Sequence, residues 1–215
     1  MPRFVKVLFG ATVVVFCFLV FQIVRRFTHA PPLPVLATVP AFTMKDQAGR
    51  QVTDVSLRGS VFIADFFFTS CQASCPRLMG RMKDVAAQLD AKKANVKLVS
   101  FTVDPENDDP ARLTTYASKL GVDAGRWSLL TTHPAEHPHE ELERVIVQGF
   151  KVHYVPRGAG STKVEESINL MTIMHGDYFV LVDAQGRIRG YYDTKVPERL
   201  TAVVTDALQL AKTGT

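Results

Sequence analysis

The run FFFTSCQASCPRL, Phe66 to Leu78, decides how this chain is read. An apolar, strand-like segment ends in it. Two cysteines follow, Cys71 and Cys75, with three residues between them, and then Pro76, which the first turn of a helix tolerates because the missing N–H has no partner there. Cys71 therefore falls just outside a helix start and Cys75 in its first turn, where the partial positive charge of the helix favours thiolate over thiol. Two thiolates one turn apart can close a disulfide. They can also hold a soft metal ion if an imidazole joins them as a third ligand. His175, directly before the strand-like run Tyr178 to Val182, is the imidazole that suits this role. Taken alone, His175 reads as a hydrogen-bonded turn residue, and the cysteine pair recasts it as a ligand. The pair itself has a plainer alternative, a structural disulfide, although so short a loop would stabilise little through chain entropy.

Working outward, Val61 to Phe68 is a nearly continuous apolar run, the pattern of a strand buried on both faces. After the cysteines a helix runs to about Asp90, with Leu78, Met82, Val85, Ala86 and Leu89 on one face. Val96 to Val103 is a second buried strand, followed by a loop, a helix from Pro110 to Leu120 and a short strand from Trp127 to Leu130. Phe42 to Lys45 and Gln51 to Thr53 flank a turn, as do Tyr178 to Val182 and Arg187 to Tyr192, so both pairs read as hairpins. Glu140 to Phe150 and Pro197 to Leu210 are helical in pattern, whereas Val152 to Ser167 is polar, Gly-rich and reads as an insertion. Strands alternating with helices, closed by a hairpin and a helix, indicate an α/β fold with a central mixed sheet flanked by helices. A strand followed by a Cys motif and a helix is the thioredoxin-like arrangement.

The N-terminus is of a different kind. Val7 to Val24 is apolar apart from Gly10, Thr12 and Gln22, with Arg3 and Lys6 before it and Arg25 and Arg26 behind. At about 1.5 Å per residue this stretch, extended by Phe4 and Val5, approaches the ~30 Å hydrocarbon core of a bilayer. The expected organisation is a single-pass membrane anchor over residues 1–27, a Pro-rich linker over 28–40 and a thioredoxin-like domain over 41–212. Thr28-x-Ala30 resembles a signal-peptidase site only loosely, and Pro31 after it disfavours cleavage. The flanking charges barely decide orientation. A redox-active or copper-binding cysteine pair suits a compartment outside the cytosol, which in a bacterium is the periplasmic side of the inner membrane.

The chain of 215 residues carries 25 Lys and Arg against 21 Asp and Glu, and four of the basic residues lie in the first 26 with no acidic one. The remainder is neutral, and no nucleic-acid footprint is present. Cys17 falls within the apolar run and reads as inert. His133, His137 and His139 are interrupted by Pro134 and Pro138 and read as a solvated loop, while Met171 and Met174 read as packing residues. Asp104 and Asp108 are expected to serve turn and helix capping ahead of Pro110 rather than to bind a hard metal. Asp65, inside an apolar strand, is either a buried carboxyl with a displaced pKa or a proton acceptor facing the thiols.

Four features together resemble the Sco/SenC family of thioredoxin-fold, membrane-anchored proteins that assemble the copper site of cytochrome c oxidase. They are Phe68-Thr69-x-Cys71-x-x-x-Cys75-Pro76, Thr102-Val103-Asp104-Pro105-x-x-Asp108, His175 seven residues ahead of Val182-Asp183-x-x-Gly186, and the single anchor. The resemblance spans about Pro40 to Leu210. It implies that Cys71, Cys75 and His175 ligate a copper ion, with the cysteines doubling as a redox pair. It also implies that the protein is a metallochaperone for the dinuclear copper centre of the oxidase. Its expected partners are the copper-bearing oxidase subunit, other copper chaperones or thiol reductants, and the membrane. The alternative is a thiol-disulfide oxidoreductase that keeps the oxidase cysteines reduced, with copper incidental. Family members often place an acidic residue before the histidine, Ser or Thr after it, and Pro after the first cysteine. Met174, Gly176 and Gln72 stand in those places here.

Overall fold

The structure, a computed structural model, describes residues 12–21, 32–132, 138–152 and 177–213. It divides into two compact units, residues 1–33 and 34–215. In the first unit residues 12–21 are helical, and eight large apolar side chains among them, Val13 to Phe16 and Phe18 to Phe21, are exposed. Among the described residues no helix is long and apolar enough to cross a membrane.

In chain order the second unit contains β1 (Ala37–Thr38), β2 (Thr43–Lys45), β3 (Gln51–Thr53), α1 (Asp54–Leu57), β4 (Val61–Phe67), α2 (Cys75–Ala91), β5 (Val96–Thr102), α3 (Pro110–Leu120) and β6 (Trp127–Leu130). There follow α4 (Pro138–Leu142), a π-helical segment (Glu143–Gly149), β7 (Tyr178–Val182), β8 (Arg187–Asp193) and α5 (Pro197–Thr213). Six strands form one sheet in the order β1-β8-β7-β4-β5-β6, and β2 and β3 form a separate hairpin. β4, β5 and β6 are parallel, while β7 runs antiparallel to β4 and β8 to β7. The sheet is therefore mixed, as expected. The parallel part is joined through α2 and α3, since parallel neighbours need a crossover of that length.

Every residue of β4 is buried, because both faces are covered. Alternation along the strand sends Phe62, Ala64 and Phe66 to one face, where Phe66, Phe101 and Phe150 meet with ring centroids 5.2–5.8 Å apart. Val61, Ile63, Asp65 and Phe67 take the other face. There α5 packs on α2 and on four strands of the sheet, and Phe67 stacks on Tyr116 of α3.

Both hairpins turn on the same device. Asp46 accepts from the backbone N–H groups of Ala48 and Arg50 and from Arg50 Nε, and Asp183 does the same for Gln185, Arg187 and Arg187 Nε. In each turn a glycine, Gly49 or Gly186, takes the positive φ that closes it. The Asp-x-x-Gly-Arg pattern thus folds alike twice.

Three elements differ from the sequence reading. Two residues, Ala37 and Thr38, pair with β8, and Asp54–Leu57 forms one helical turn under a capping box of Thr53 and Ser56. The segment read as a helix over Glu140 to Phe150 is α-helical only to Leu142 and then winds as a π-helix. That wider turn leaves Val145, Ile146 and Gly149 buried. Gly149 is required there, since a Cβ would sit 2.2 Å from Pro40 Cδ. The insertion Val152 to Ser167 lies almost wholly outside the described residues.

Candidate redox and metal centre

β4 ends at Phe67 and delivers the chain into the loop that carries Cys71. The Cys71 N–H donates to Phe68 O at 3.2 Å, a tight turn that doubles the chain back toward α2. Ser74 is the N-cap residue of α2, yet its side chain makes no cap hydrogen bond. The first backbone N–H of the helix, that of Cys75, points instead at Cys71 Sγ, 3.4 Å away, and Ser74 Oγ lies 3.7 Å from the same sulfur. A thiolate is thus set in the place of a capping oxygen, where helix-start amides stabilise negative charge.

Both cysteines are free thiols, but they are not equivalent: Cys71 is half-buried and Cys75 buried. Burial pushes the Cys71 thiol up. Hydrogen bonds from the Cys75 thiol, the Cys75 and Ala73 amides and Ser74 outweigh it and bring the pKa from 9.0 down to about 7. Burial and the bond to Cys71 drive Cys75 the other way, to about 12. Cys71 is accordingly the more acidic of the two thiols, and Cys75 the one that keeps its proton. Alkylation of the reduced protein by iodoacetamide should rise with pH through a midpoint near 7 and map to Cys71. A single midpoint near 9, or primary labelling of Cys75, would contradict this arrangement.

Asp65 lies on the helix-facing side of β4, opposite Ser100 of β5 in the parallel register. It is fully buried, and among the described residues neither carboxylate oxygen has a hydrogen-bond partner. Desolvation raises its pKa from 3.8 to about 7, only partly offset by the neighbouring Ser100 hydroxyl and its own backbone. Its charge is felt at Cys75 and at Tyr116. This carboxyl is therefore neutral over part of the physiological range.

Asp108 was expected to cap a helix, and here the structure corrects the reading. The N-cap of α3 is its neighbour Asp109, whose carboxylate accepts from Arg112 N at 2.7 Å. Asp108 is fully buried and binds across to the thiol loop: it accepts from Thr69 N at 3.0 Å, from the Thr69 hydroxyl and from the Thr102 hydroxyl. Arg112 Nε donates to Thr69 Oγ1 at 2.7 Å and lies 3.7 Å from Asp108 Oδ1. Asp104 does serve the turn, with its carbonyl and carboxylate both holding Asn107. The Thr69, Thr102, Asp108 and Arg112 cluster escaped the sequence reading. The signal present was a pair of threonines at the ends of two adjacent strands with acidic residues after the second.

Of the remaining candidates, His139 sits near the start of α4, its Nε2 3.1 Å from Glu106 Oε1. Cys17 is exposed on the helical residues 12–21. His133, His137, Met171, Met174 and His175 lie outside the described residues. Among the described residues no three His, Cys, Asp or Glu side chains are grouped to hold a metal ion.

A free, acidified thiol at the mouth of a thioredoxin-like sheet is matched by what the whole chain resembles. The model of the SCO1/SenC family matches residues 32–209. The chain belongs to the SCO1/SenC family. Among curated relatives, the SCO1 protein homolog of Bacillus subtilis is 32% identical over 160 residues, which is 74% of this chain and 76% of that one. Among solved structures, BsSco superposes with a TM-score of 0.65 at 28% identity, covering 82% of this chain and 97% of that one. BsSco is described as carrying a disulfide switch and as a member of the Sco family of cytochrome c oxidase assembly proteins. ScoI of Bradyrhizobium japonicum, solved with copper bound, superposes with a TM-score of 0.59 at 27% identity, covering 80% of this chain and all of that one.

Proposed function

We propose that this SCO1/SenC protein is a copper-binding assembly factor. In this reading Cys71, Cys75 and His175 hold one copper ion and pass it to the copper-bearing subunit of cytochrome c oxidase, at its dinuclear copper centre. The observation that carries the reading is the meeting of two central strands' ends, the end of β4 and the start of β7, at one end of the sheet. β7 is antiparallel to β4, so its first residue, Tyr178, lies toward the end of β4 from which the Cys71 loop departs. His175 precedes Tyr178 by three residues, a tether of at most about 11 Å, which ties the imidazole to the same end of the sheet as the Cys71 loop. The donor set fits the cargo: Cu(I) favours soft thiolates, and an imidazole lets the same site accept Cu(II). Shared thiolates allow the ion to pass between proteins without release to water. Relatives assigned to oxidase assembly, and one solved with copper, support the same reading.

The site faces the compartment outside the cytosol, the periplasmic side in a bacterium. Residues 1–27 form a single-pass anchor, 28–40 a Pro-rich linker and 41–212 the functional domain. Support comes from the apolar run of Val7 to Val24 and from the exposed apolar side chains of residues 12–21. Copper arrives from other chaperones, and thiol reductants keep the pair reduced.

The test is a copper titration of the reduced protein against a competing chelator. Wild type should bind one ion per chain, and His175→Ala should lower the affinity on the order of 100-fold, about 2.7 kcal/mol. Equal affinity in the variant would remove His175 from the site and with it the three-ligand model. The thiol asymmetry favours a second reading, in which the protein reduces the oxidase cysteines. That activity should survive His175→Ala and vanish in Cys71→Ser.

A further inference from the structure

Beside the thiol loop, on the side of α3, lies a groove of about 280 Å³ lined by Thr69, Arg112, Thr115, Tyr116 and Lys119. Arg112, Thr115, Tyr116 and Lys119 recur along α3 at spacings of three and four, so they share one face of that helix. Thr69 belongs to the Cys71 loop and forms the opposite wall. Every residue lining the groove carries a polar group, and its two formal charges are both positive. Arg112 is half exposed, with its Nε held by Thr69 Oγ1, which fixes the guanidinium at the rim. Lys119 is exposed and has no ion-pair partner among the described residues. Two acidic side chains at the start of α3 are already occupied. Asp108 is buried under the Thr69 and Thr102 hydroxyls, and Asp109 caps α3. The floor is the half-buried ring of Tyr116, stacked on Phe67 at the end of β4. Its hydroxyl is close enough to the thiol pair to feel the charges of both sulfurs.

We propose that this groove is the docking surface for an acidic segment of the partner polypeptide, with its carboxylates on Arg112 and Lys119 and its cysteine sulfur delivered to Cys71. The proposal deepens the function given above and rests on Cys71 being the exchanging thiol. An arginine held at one side chain atom presents its remaining N–H donors in a fixed fork, the geometry that pairs with a carboxylate. Lys119, two helical turns further along the groove, adds a movable point charge. A segment laid between them runs past Thr69 and hence past the loop that carries the sulfur. The exchange balances without any further reagent when the partner brings a disulfide. The Cys71 thiolate attacks one partner sulfur, and the partner S–S bond breaks, with its electron pair leaving on the second sulfur. Cys75 then gives up its proton to the partner thiolate already released and attacks Cys71 Sγ. The Cys71–Cys75 bond forms and the bond to the partner breaks, with its electron pair leaving on the first partner sulfur, so that two protein thiols are oxidised and one partner disulfide is reduced.

Two peptides of one length test this, each with a single cysteine activated as a 2-thiopyridyl disulfide, one flanked by glutamates and one by glutamines. Release of thiopyridone by the full-length reduced protein, less that by Cys71→Ser, reports attack by Cys71, since Cys17 is also a free thiol. At low salt the acidic peptide should react about tenfold faster than the neutral one, and the ratio should fall toward one as salt shortens the Debye length. Lys119→Glu, at an exposed position, should bring the ratio to one or below, and Arg112→Gln should lower it as well. A ratio near one in wild type, or a ratio that Lys119→Glu leaves intact, overturns the docking surface while leaving the thiol chemistry standing. Failure of the neutral peptide to react at all would instead remove Cys71 as the exchanging thiol, and the docking surface would fall with it.

Discussion

Asp65→Asn should make the protein more stable at pH 8 than wild type and should erase most of that advantage at pH 4. The native carboxyl keeps its proton up to about pH 7, whereas the unfolded one releases it near 3.8. Between those values the native state binds the extra proton, so stability falls as pH rises, and the full cost is present above about 7. A shift of roughly three pH units corresponds to up to about 4 kcal/mol. Asparagine carries no such titration. Its amide is also poorly partnered in the site, but that penalty is the same at every pH. Urea denaturation of the reduced proteins at several pH values gives the difference between the two curves, in which titrations common to both cancel. Parallel curves between pH 4 and 8 would show that Asp65 is not the proton-binding group inferred here. The same substitution asks whether the carboxyl has a functional part. If Asp65 accepts the Cys75 proton during exchange, the step that resolves the mixed disulfide slows in the variant while attack by Cys71 does not.

The split between what sequence disclosed and what it hid follows the range of the interactions concerned. Val61–Phe67, Val96–Thr102 and Pro110–Leu120 were legible because burial on both faces, or on one helical stripe, writes itself into adjacent residues, and because Pro110 and Gly121 punctuate the helix. β1 was not legible. Two residues paired through their backbones alone leave no side-chain period to read. The π-helical turn after Leu142 was hidden because the apolar spacing of Val145, Ile146 and Phe150 suits an α-helix equally well. What distinguishes them is the packing of Gly149 against Pro40, more than a hundred residues away.

At the site the same division holds. The Cys-x-x-x-Cys-Pro pattern and the helix it starts are local, and so they were read correctly in position. The inequality of the two thiols is not local: it arises because α2 buries Cys75 while its first amide is aimed at Cys71. Asp108 and Asp109 are identical neighbours in sequence. Only the approach of the Thr69 loop, 39 residues upstream, settles that one caps the helix and the other ties two loops together.

Asp108→Ala should be the most damaging of the substitutions considered, at about 3–5 kcal/mol of stability. The carboxylate is fully buried and accepts from three donors, two of them on Thr69, with the Arg112 guanidinium beside it. Removing it leaves an amide and two hydroxyls without their acceptor, and a cation facing them, so the desolvation cost of each is no longer recovered. Asp108→Asn keeps the volume and one acceptor oxygen but aims an NH2 group at a hydroxyl donor. It should cost less, about 1–3 kcal/mol. The consequence for function runs through Thr69, two residues ahead of Cys71. With its amide released, the loop no longer holds the sulfur over the Cys75 amide, and the helix-start stabilisation of the thiolate weakens. The alkylation midpoint of Cys71 should therefore move up from about 7 toward 9 in Asp108→Asn, under conditions where the variant is fully folded. A destabilised variant whose midpoint stays near 7 would confine Asp108 to holding the two loops together, and would leave the acidity of Cys71 to the geometry of the α2 start alone.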